Sequence, residues 1–268
     1  CAQKVEGLLE KHPANPQLAM MLAISRQAEP ELAAEAIEKA LEIWPEEPDW
    51  HAIAGTFYEQ SGAFEKAAKH LEDAIRILPR SAQYWQMLGD IKIQEKDYHA
   101  ARDYFTKANE LFPGDPEALF SLAVINQQLG EHQAAIQCLR EVEALDPGKT
   151  IYGESMAESY FAMQDYQAAE EQANRVLQAN GHSSQALQVK TKALMKRHQY
   201  EEAKRVLQAA REMVSDPIPF DLLAIELDAA MMRKSGLGAA LALAEKNPEN
   251  PLVLNTLAGY YMEAAMQT

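Results

Sequence analysis

Four prolines stand 34 residues apart: Pro45, Pro79, Pro113 and Pro147. That period constrains the fold more than any other feature. A unit of this length is one supersecondary element, too small to bury its own apolar face, so copies must stack in a line. Other positions keep the same step. Ala67, Ala101, Ala135, Ala169 and Ala203 share one phase. Leu71, Phe105, Leu139, Ala173 and Leu207 follow four residues later, and Ala74, Ala108, Val142, Val176 and Ala210 three after those. Large apolar residues recurring at i, i+3, i+4 and i+7 mark one face of an amphipathic helix. Each unit holds two such stretches, so the expected fold class is all-α: a solenoid of stacked antiparallel helix hairpins.

A second set of phases lies in the first helix of each unit. Ala54, Leu88, Leu122 and Met156 are followed directly by Gly55, Gly89, Ala123 and Ala157. Small residues there let two helices approach closely, and Phe105 or Leu71 fills the space between hairpins. Proline ends the second helix because it lacks an amide hydrogen and clashes with the preceding turn. Helices of three to four turns are marginal alone in water, so stability must come from stacking.

With these residues in place, the chain resembles a tetratricopeptide-repeat array. That signature reads aromatic-x-x-Leu-Gly-x-x-Tyr, then Ala-x-x-x-Phe-x-x-Ala, then Pro. Residues 82–115 supply Trp85, Leu88, Gly89, Ala101, Phe105, Ala108 and Pro113; residues 48–81 supply Gly55, Tyr58, Ala67, Leu71, Ala74 and Pro79. The resemblance implies a right-handed α-solenoid, a superhelix whose first helices line an inner groove.

The register divides the chain as follows. Residues 1–13 read as the second helix of a truncated repeat, in which Cys1, Val5, Leu8 and Pro13 match Ala101, Phe105, Ala108 and Pro113. Residues 14–47 form a first repeat, short by two residues around Ala28 to Pro30. Repeats at 48–81, 82–115 and 116–149 are regular. Those at 150–183 and 184–216 are degenerate: Gly153 stands where an aromatic is usual, Gly181 replaces proline, and Lys190-Thr191 occupies the Leu-Gly phase. A looser stack is expected from residue 150 onward. The phase is read as slipping beyond Pro217, making 217–250 an irregular repeat, and 251–268 reads as the first helix of another truncated one. Two uncapped ends suggest a segment of a longer array and a route to self-association.

Charge narrows the partners. Forty acidic residues against 25 basic ones leave a net charge of −15, which disfavours a phosphate backbone and tolerates a basic protein segment. The longest uncharged apolar run, Leu237 to Ala244, is far too short for an integral membrane span. Three whole repeats separate the units that hold Cys1 and Cys138, which puts them beyond disulfide reach. Cys1 itself has one sharper reading, as the lipidated first residue of a bacterial lipoprotein, against the simpler one of a cut within a repeat. The compartment stays open between cytoplasm and periplasm, with membrane anchoring if Cys1 carries lipid.

Catalytic chemistry finds little footing, so the chain reads as no enzyme, with no cofactor or metal. No two of the seven histidines stand three to five residues apart, as a helical metal pair requires; surface or turn roles are expected for all of them. Gly236-Leu237-Gly238 follows no strand, so it is a turn and not a dinucleotide loop. Glu170-Glu171 and Glu201-Glu202 suit helix starts, where carboxylates complement the helix dipole.

What remains is the groove. The exposed first-helix phases give Asp49, Ala52, Thr56 and Glu59, then Gln83, Gln86, Asp90 and Ile93, then Glu117, Phe120, Val124 and Gln127. Next come Ile151, Glu154, Glu158 and Phe161, then Gln185, Gln188, Lys192 and Met195. Ile93, Phe120, Val124 and Phe161 are apolar where the core does not need them. With Gln83, Gln86, Asp90, Gln127, Glu154 and Glu158 they make the candidate partner-binding strip. Two groove types of the family do not match. Chaperone-tail binders clamp a carboxylate with lysines and asparagines, but the positions here are Ala52, Thr56, Gln86, Asp90, Phe120 and Val124. An asparagine ladder is likewise missing at Ile53, Met87, Ser121, Ser155 and Val189. Lys190, Lys192, Lys196 and Arg197 form a local basic patch suited to an acidic element or to solvent.

The reading that follows is a non-catalytic scaffold holding a protein or peptide segment in its groove. Two alternatives are the repeat region of a bacterial envelope protein or lipoprotein serving exopolysaccharide export or assembly, and a regulatory arm of an enzyme. The Asn-Pro pairs at Asn15-Pro16, Asn247-Pro248 and Asn250-Pro251 are bacterial in style.

Overall fold

In a computed structural model, the described residues are 2–12, 15–232 and 236–266. Among them the chain is all-α, with no strand. Two compact units are distinguished, Cys1–Leu145 and Asp146–Thr268. The first holds α1 (Ala2–Lys11), α2 (Pro16–Ser25), α3 (Pro30–Leu41), α4 (Pro48–Gln60), α5 (Phe64–Ile77), α6 (Ala82–Gln94), α7 (Tyr98–Leu111), α8 (Pro116–Gln128) and α9 (His132–Leu145). The second holds α10 (Thr150–Ala162), α11 (Tyr166–Ala179), α12 (Ser184–Lys196), α13 (Tyr200–Met213), α14 (Ile218–Met232), α15 (Leu237–Lys246) and α16 (Pro251–Met266).

The pitch comes from a turn built of main-chain atoms. Between the two helices of a hairpin, one residue takes a left-handed conformation: Gly62, Lys96, Gly130, Gln164 and His198, each 34 after the last. At the first of these, the Gly62 amide donates to the Glu59 carbonyl (2.9 Å) and the Ala63 amide to that of Tyr58 (2.8 Å). The pair of bonds is a Schellman closure, which satisfies carbonyls left open at a helix end. The same two bonds recur at Lys96 and Asp97, at Gly130 and Glu131, at Gln164 and Asp165, and at His198 and Gln199. The next residue then starts the second helix. Where it is aspartate, its side chain caps: Asp97 accepts from the Ala100 amide and Asp165 from that of Ala168.

The core lies where the periodicity places it. The alanines at 67, 101, 135, 169 and 203 are wholly buried, as are Leu71, Phe105, Leu139, Ala173 and Leu207 to within 2 %. Close approach at the small residues is real. A β-carbon on Gly55 would meet Leu71 Cγ at 3.1 Å, and one on Gly153 would meet Val176 Cγ2 at 2.7 Å.

Several expectations change. α10 to α13 have the same lengths as α6 to α9, 13 and 14 residues in alternation. Gly153 packs as tightly as Gly55, so the missing signature residues do not loosen this stretch. α14 still begins in phase, at Ile218, one period after Ser184 begins α12; the slip comes after it, since α15 begins at Leu237, three residues later than one period from Tyr200 of α13, and has only 10 residues. In α1, Val5 and Leu9 are buried while Leu8 is exposed, a rotation by one residue from the periodic assignment. The shortfall in the first repeat falls on helix length, since α2 and α3 have 10 and 12 residues.

Not all histidines sit at the surface or in turns. His51 is buried on α4 and His70 half-buried on α5. Their Nδ1 atoms lie 3.2 Å apart, His51 Nε2 reaches the Pro45 carbonyl at 3.0 Å, and His70 Nε2 reaches Glu38 Oε1 at 3.2 Å. His51 stands at the phase of Trp85, so the hydrogen-bonded pair replaces the Trp85–Tyr104 ring contact of the following repeat. No helix of the described residues is long and apolar enough to cross a membrane. Cys1, where lipidation was considered, and Pro13 lie outside the described residues.

Candidate functional site

In the first unit the candidate residues sit on α6 and α8. α6 carries Gln83, Gln86, Asp90 and Ile93; α8 carries Phe120, Val124 and Gln127. Phe120, Val124 and Gln127 are half-buried, and Gln83 and Asp90 are exposed. Ile93 departs from the premise that placed it here, since it packs beside the cluster of Phe105, Ala118, Leu122 and Ile125. It serves the core and the surface together.

Asp90 is the electrostatic centre of this face. Its carboxyl is pushed up to about 6, first by loss of water to the surrounding wall and then by the like charges of Glu59 on α4 and Glu117 on α8. Glu59 is also raised, by burial. Three successive first helices thus present an acidic line beside the apolar pair Phe120 and Val124.

Gln86 has a structural task. Its amide donates to Asp115 Oδ2, while Asp115 Oδ1 accepts from the Glu117 amide at 3.3 Å and caps α8. The second unit repeats this arrangement with the chemistry reversed. Glu154, two periods after Gln86, accepts from Ser183 Oγ at 2.6 Å, and Ser183 Oγ accepts from the Ala186 amide at 3.1 Å, capping α12. Gln86 and Glu154 clip one first helix to the start of the next.

The other second-unit candidates lie on α10. Glu158 is exposed and Phe161 half-buried. Phe161 packs against the cluster of Ala157, Ala169 and Ala173, with its ring 5.3 Å from that of Tyr166. The core therefore uses part of this ring too. Nearby, Phe161, Tyr166, Lys192, Met195, Lys196 and Glu226 border a cavity of about 640 Å³. Tyr166 and Glu226 were missed in the sequence. Glu226 stands one period after Lys192, and Tyr166 shares its phase with Phe64, Tyr98, His132 and Tyr200, so the 34-residue step carried both signals. Among the described residues no three His, Cys, Asp or Glu side chains gather to hold a metal ion.

Comparisons with known proteins agree with the fold. The tetratricopeptide-repeat family model matches residues 26–91, 92–157 and 160–224. No curated protein matches the sequence. Among solved structures, YrrB, described as a TPR protein with an unusual peptide-binding site, superposes with a TM-score of 0.59 at 21% identity, covering 71% of this chain and 99% of that one. PilF of Pseudomonas aeruginosa gives 0.59 at 20% identity, with 81% and 97% covered. MamA from Desulfovibrio magneticus gives 0.58 at 16% identity, with 63% and 97% covered. Such identities speak for the fold alone. The family model matches well over half of the residues, so the chain belongs to the tetratricopeptide-repeat family.

Proposed function

We propose that the chain is a non-catalytic interaction scaffold whose first-helix faces each hold a segment of a partner protein. One observation carries this reading. Across α4, α6 and α8 a crowded acidic line, Glu59, Asp90 and Glu117, runs beside the half-buried apolar side chains of Phe120 and Val124. Like charges held together cost free energy, and a lysine or arginine of a partner relieves them. An apolar neighbour on the same segment covers Phe120 and Val124, so a basic, partly apolar segment is the occupant this face suits. The peptide-binding site named for YrrB supports a similar use of the fold.

The test is capture of partners from lysate by the tagged chain, compared with Phe120→Ala, Asp90→Lys and Phe161→Glu. Asp90 is exposed and Phe120 half-buried, so both variants keep the fold, checked by circular dichroism. Phe161 touches the core, so its variant is read only if its melting curve is unchanged. Loss of a captured protein with Phe120→Ala and Asp90→Lys is the expected result. Unchanged capture by both would show the α6–α8 face to be uninvolved.

A further inference from the structure

The geometry points to a second docking site, in the cleft bordered by α10, α12 and α14, for an acidic protein segment with a bulky apolar side chain beside its carboxylates. This assignment rests on the scaffold reading and gives one face of the second unit its partner chemistry.

The cleft has two kinds of wall. Phe161, Tyr166 and Met195 offer aromatic and thioether surface, and Tyr200 stands nearby with its hydroxyl 2.7 Å from His198 Nδ1. The volume of about 640 Å³ lies in the range of sites that enclose a ligand's larger groups. Lys192 and Lys196 form the other wall. They lie four apart on α12, so their stems share one helix face, and both are exposed. Among the described residues neither closes an ion pair within 4.0 Å, whereas the neighbouring Arg197 is engaged by Glu170.

Glu226 on α14 also faces the cleft. Burial raises its carboxyl, and Lys192 and Lys196 pull it back down. Glu158 on α10 stands one period before Lys192, as Glu226 stands one period after it. Among the described residues, two ammonium groups without an ion pair therefore face the one carboxylate that lines the cleft with them. That surplus stands out in a chain of net charge −15, and it selects carboxylates over cations at this spot. The aromatic wall selects a large apolar side chain next to them, because such a pocket binds most strongly when water is displaced from both surfaces.

The probe is a fluorescein-labelled hexapeptide, Glu-Asp-Phe-Leu-Glu-Asp, acetylated and amidated so that only side-chain carboxylates remain. It is titrated into the whole 268-residue chain by fluorescence anisotropy. Two controls replace its acids by Lys and Arg, or its Phe-Leu by Ser-Gly. The acidic apolar probe is expected to bind, with both controls weaker by about tenfold or more. The exposed pair Lys192→Glu/Lys196→Glu should weaken it by about tenfold or more, and Glu226→Gln should strengthen it. Circular dichroism confirms the fold of each variant. No binding, equal binding of the basic control, or indifference to the lysine reversals would overturn the assignment. So would binding of a free-carboxyl version alone, because the site would then read a chain terminus. If capture still depends on Phe120 and Asp90 while the probe fails, the scaffold stands and the cleft does not; if both fail, the scaffold falls as well.

Discussion

Gly89 on α6 faces the ring of Phe105 on α7 so closely that a β-carbon would stand 2.6 Å from Cε2 and 2.7 Å from Cδ2. Phe105 is buried in its own cluster. Gly89→Ala therefore forces the ring or a helix to move, at a cost of about 1–3 kcal/mol. Gly55→Ala should cost less, because its nearest contacts are 3.1 Å from a leucine side chain and 3.3 Å from the Ala67 carbonyl. Urea unfolding of the two variants checks the order, and an inverted order would remove close approach at Gly89 as its cause.

Lys96 and Gln164 hold left-handed backbone at φ 61° and 63°, where Gly62 and Gly130 stand in neighbouring repeats. An L-residue pays roughly 1–2 kcal/mol for that conformation, and glycine pays little of it. Lys96→Gly and Gln164→Gly are expected to stabilise by about 0.5–1 kcal/mol each, after the greater freedom of glycine in the unfolded chain is subtracted. Gly62→Ala should shift the melting temperature the opposite way. Thermal melts followed by circular dichroism decide it.

Asp90 sets a pH dependence. Its folded carboxyl titrates at about 6, above the ordinary value of 3.8, so the folded chain holds the proton more tightly than the unfolded one. The neutral acid is thus favoured by folding: its contribution is fully present below pH 3.8 and is lost as pH rises through about 6. Asp90→Asn should flatten stability across that window and raise it at pH 7. The group is exposed, so solvent moderates the size of the effect. Denaturation midpoints at pH 4.5, 6 and 7.5 test the sign. A variant that parallels the parent at all three would show that Asp90 does not titrate in this range.

The Glu154–Ser183 bond gives a test of structural duty against partner contact. Ser183→Ala removes both the cap on α12 and the donor to Glu154, for an expected loss of about 1–2 kcal/mol. In a double-mutant cycle with Glu154→Ala the two changes should be non-additive, since they share one hydrogen bond. Additive losses would mean that the pair is independent in solution. If Glu154→Ala also left partner capture unchanged, its place would be in the clip alone.

Much of the fold was legible because one constraint repeats. Ala67 through Ala203 and Leu71 through Leu207 are buried in every copy, and stacking punishes any departure there in the same way. The clip was not legible at Gln86 and Glu154: an exposed-looking polar residue carries no periodic signature of the hydrogen bond it makes, and the two copies solve it with opposite donors. Ile93 and Phe161 misled for a related reason. A side chain at the edge of a helix face can pack inward and remain open at its rim, and a period assigns it to only one side. The Schellman turns hid in the same way, because main-chain bonds leave no residue requirement where Lys96, Gln164 and His198 accept the strained conformation.

That turn has a wider consequence. Because the five hairpins from α4 to α13 close through their own amides and carbonyls, such a copy can exchange many outward side chains without altering its turn. Duplication of one whole module leaves every later residue in step, whereas an insertion of any other length inside a hairpin rotates all that follows. The molecule is therefore free to diversify what it touches through substitution, and to lengthen only in whole increments.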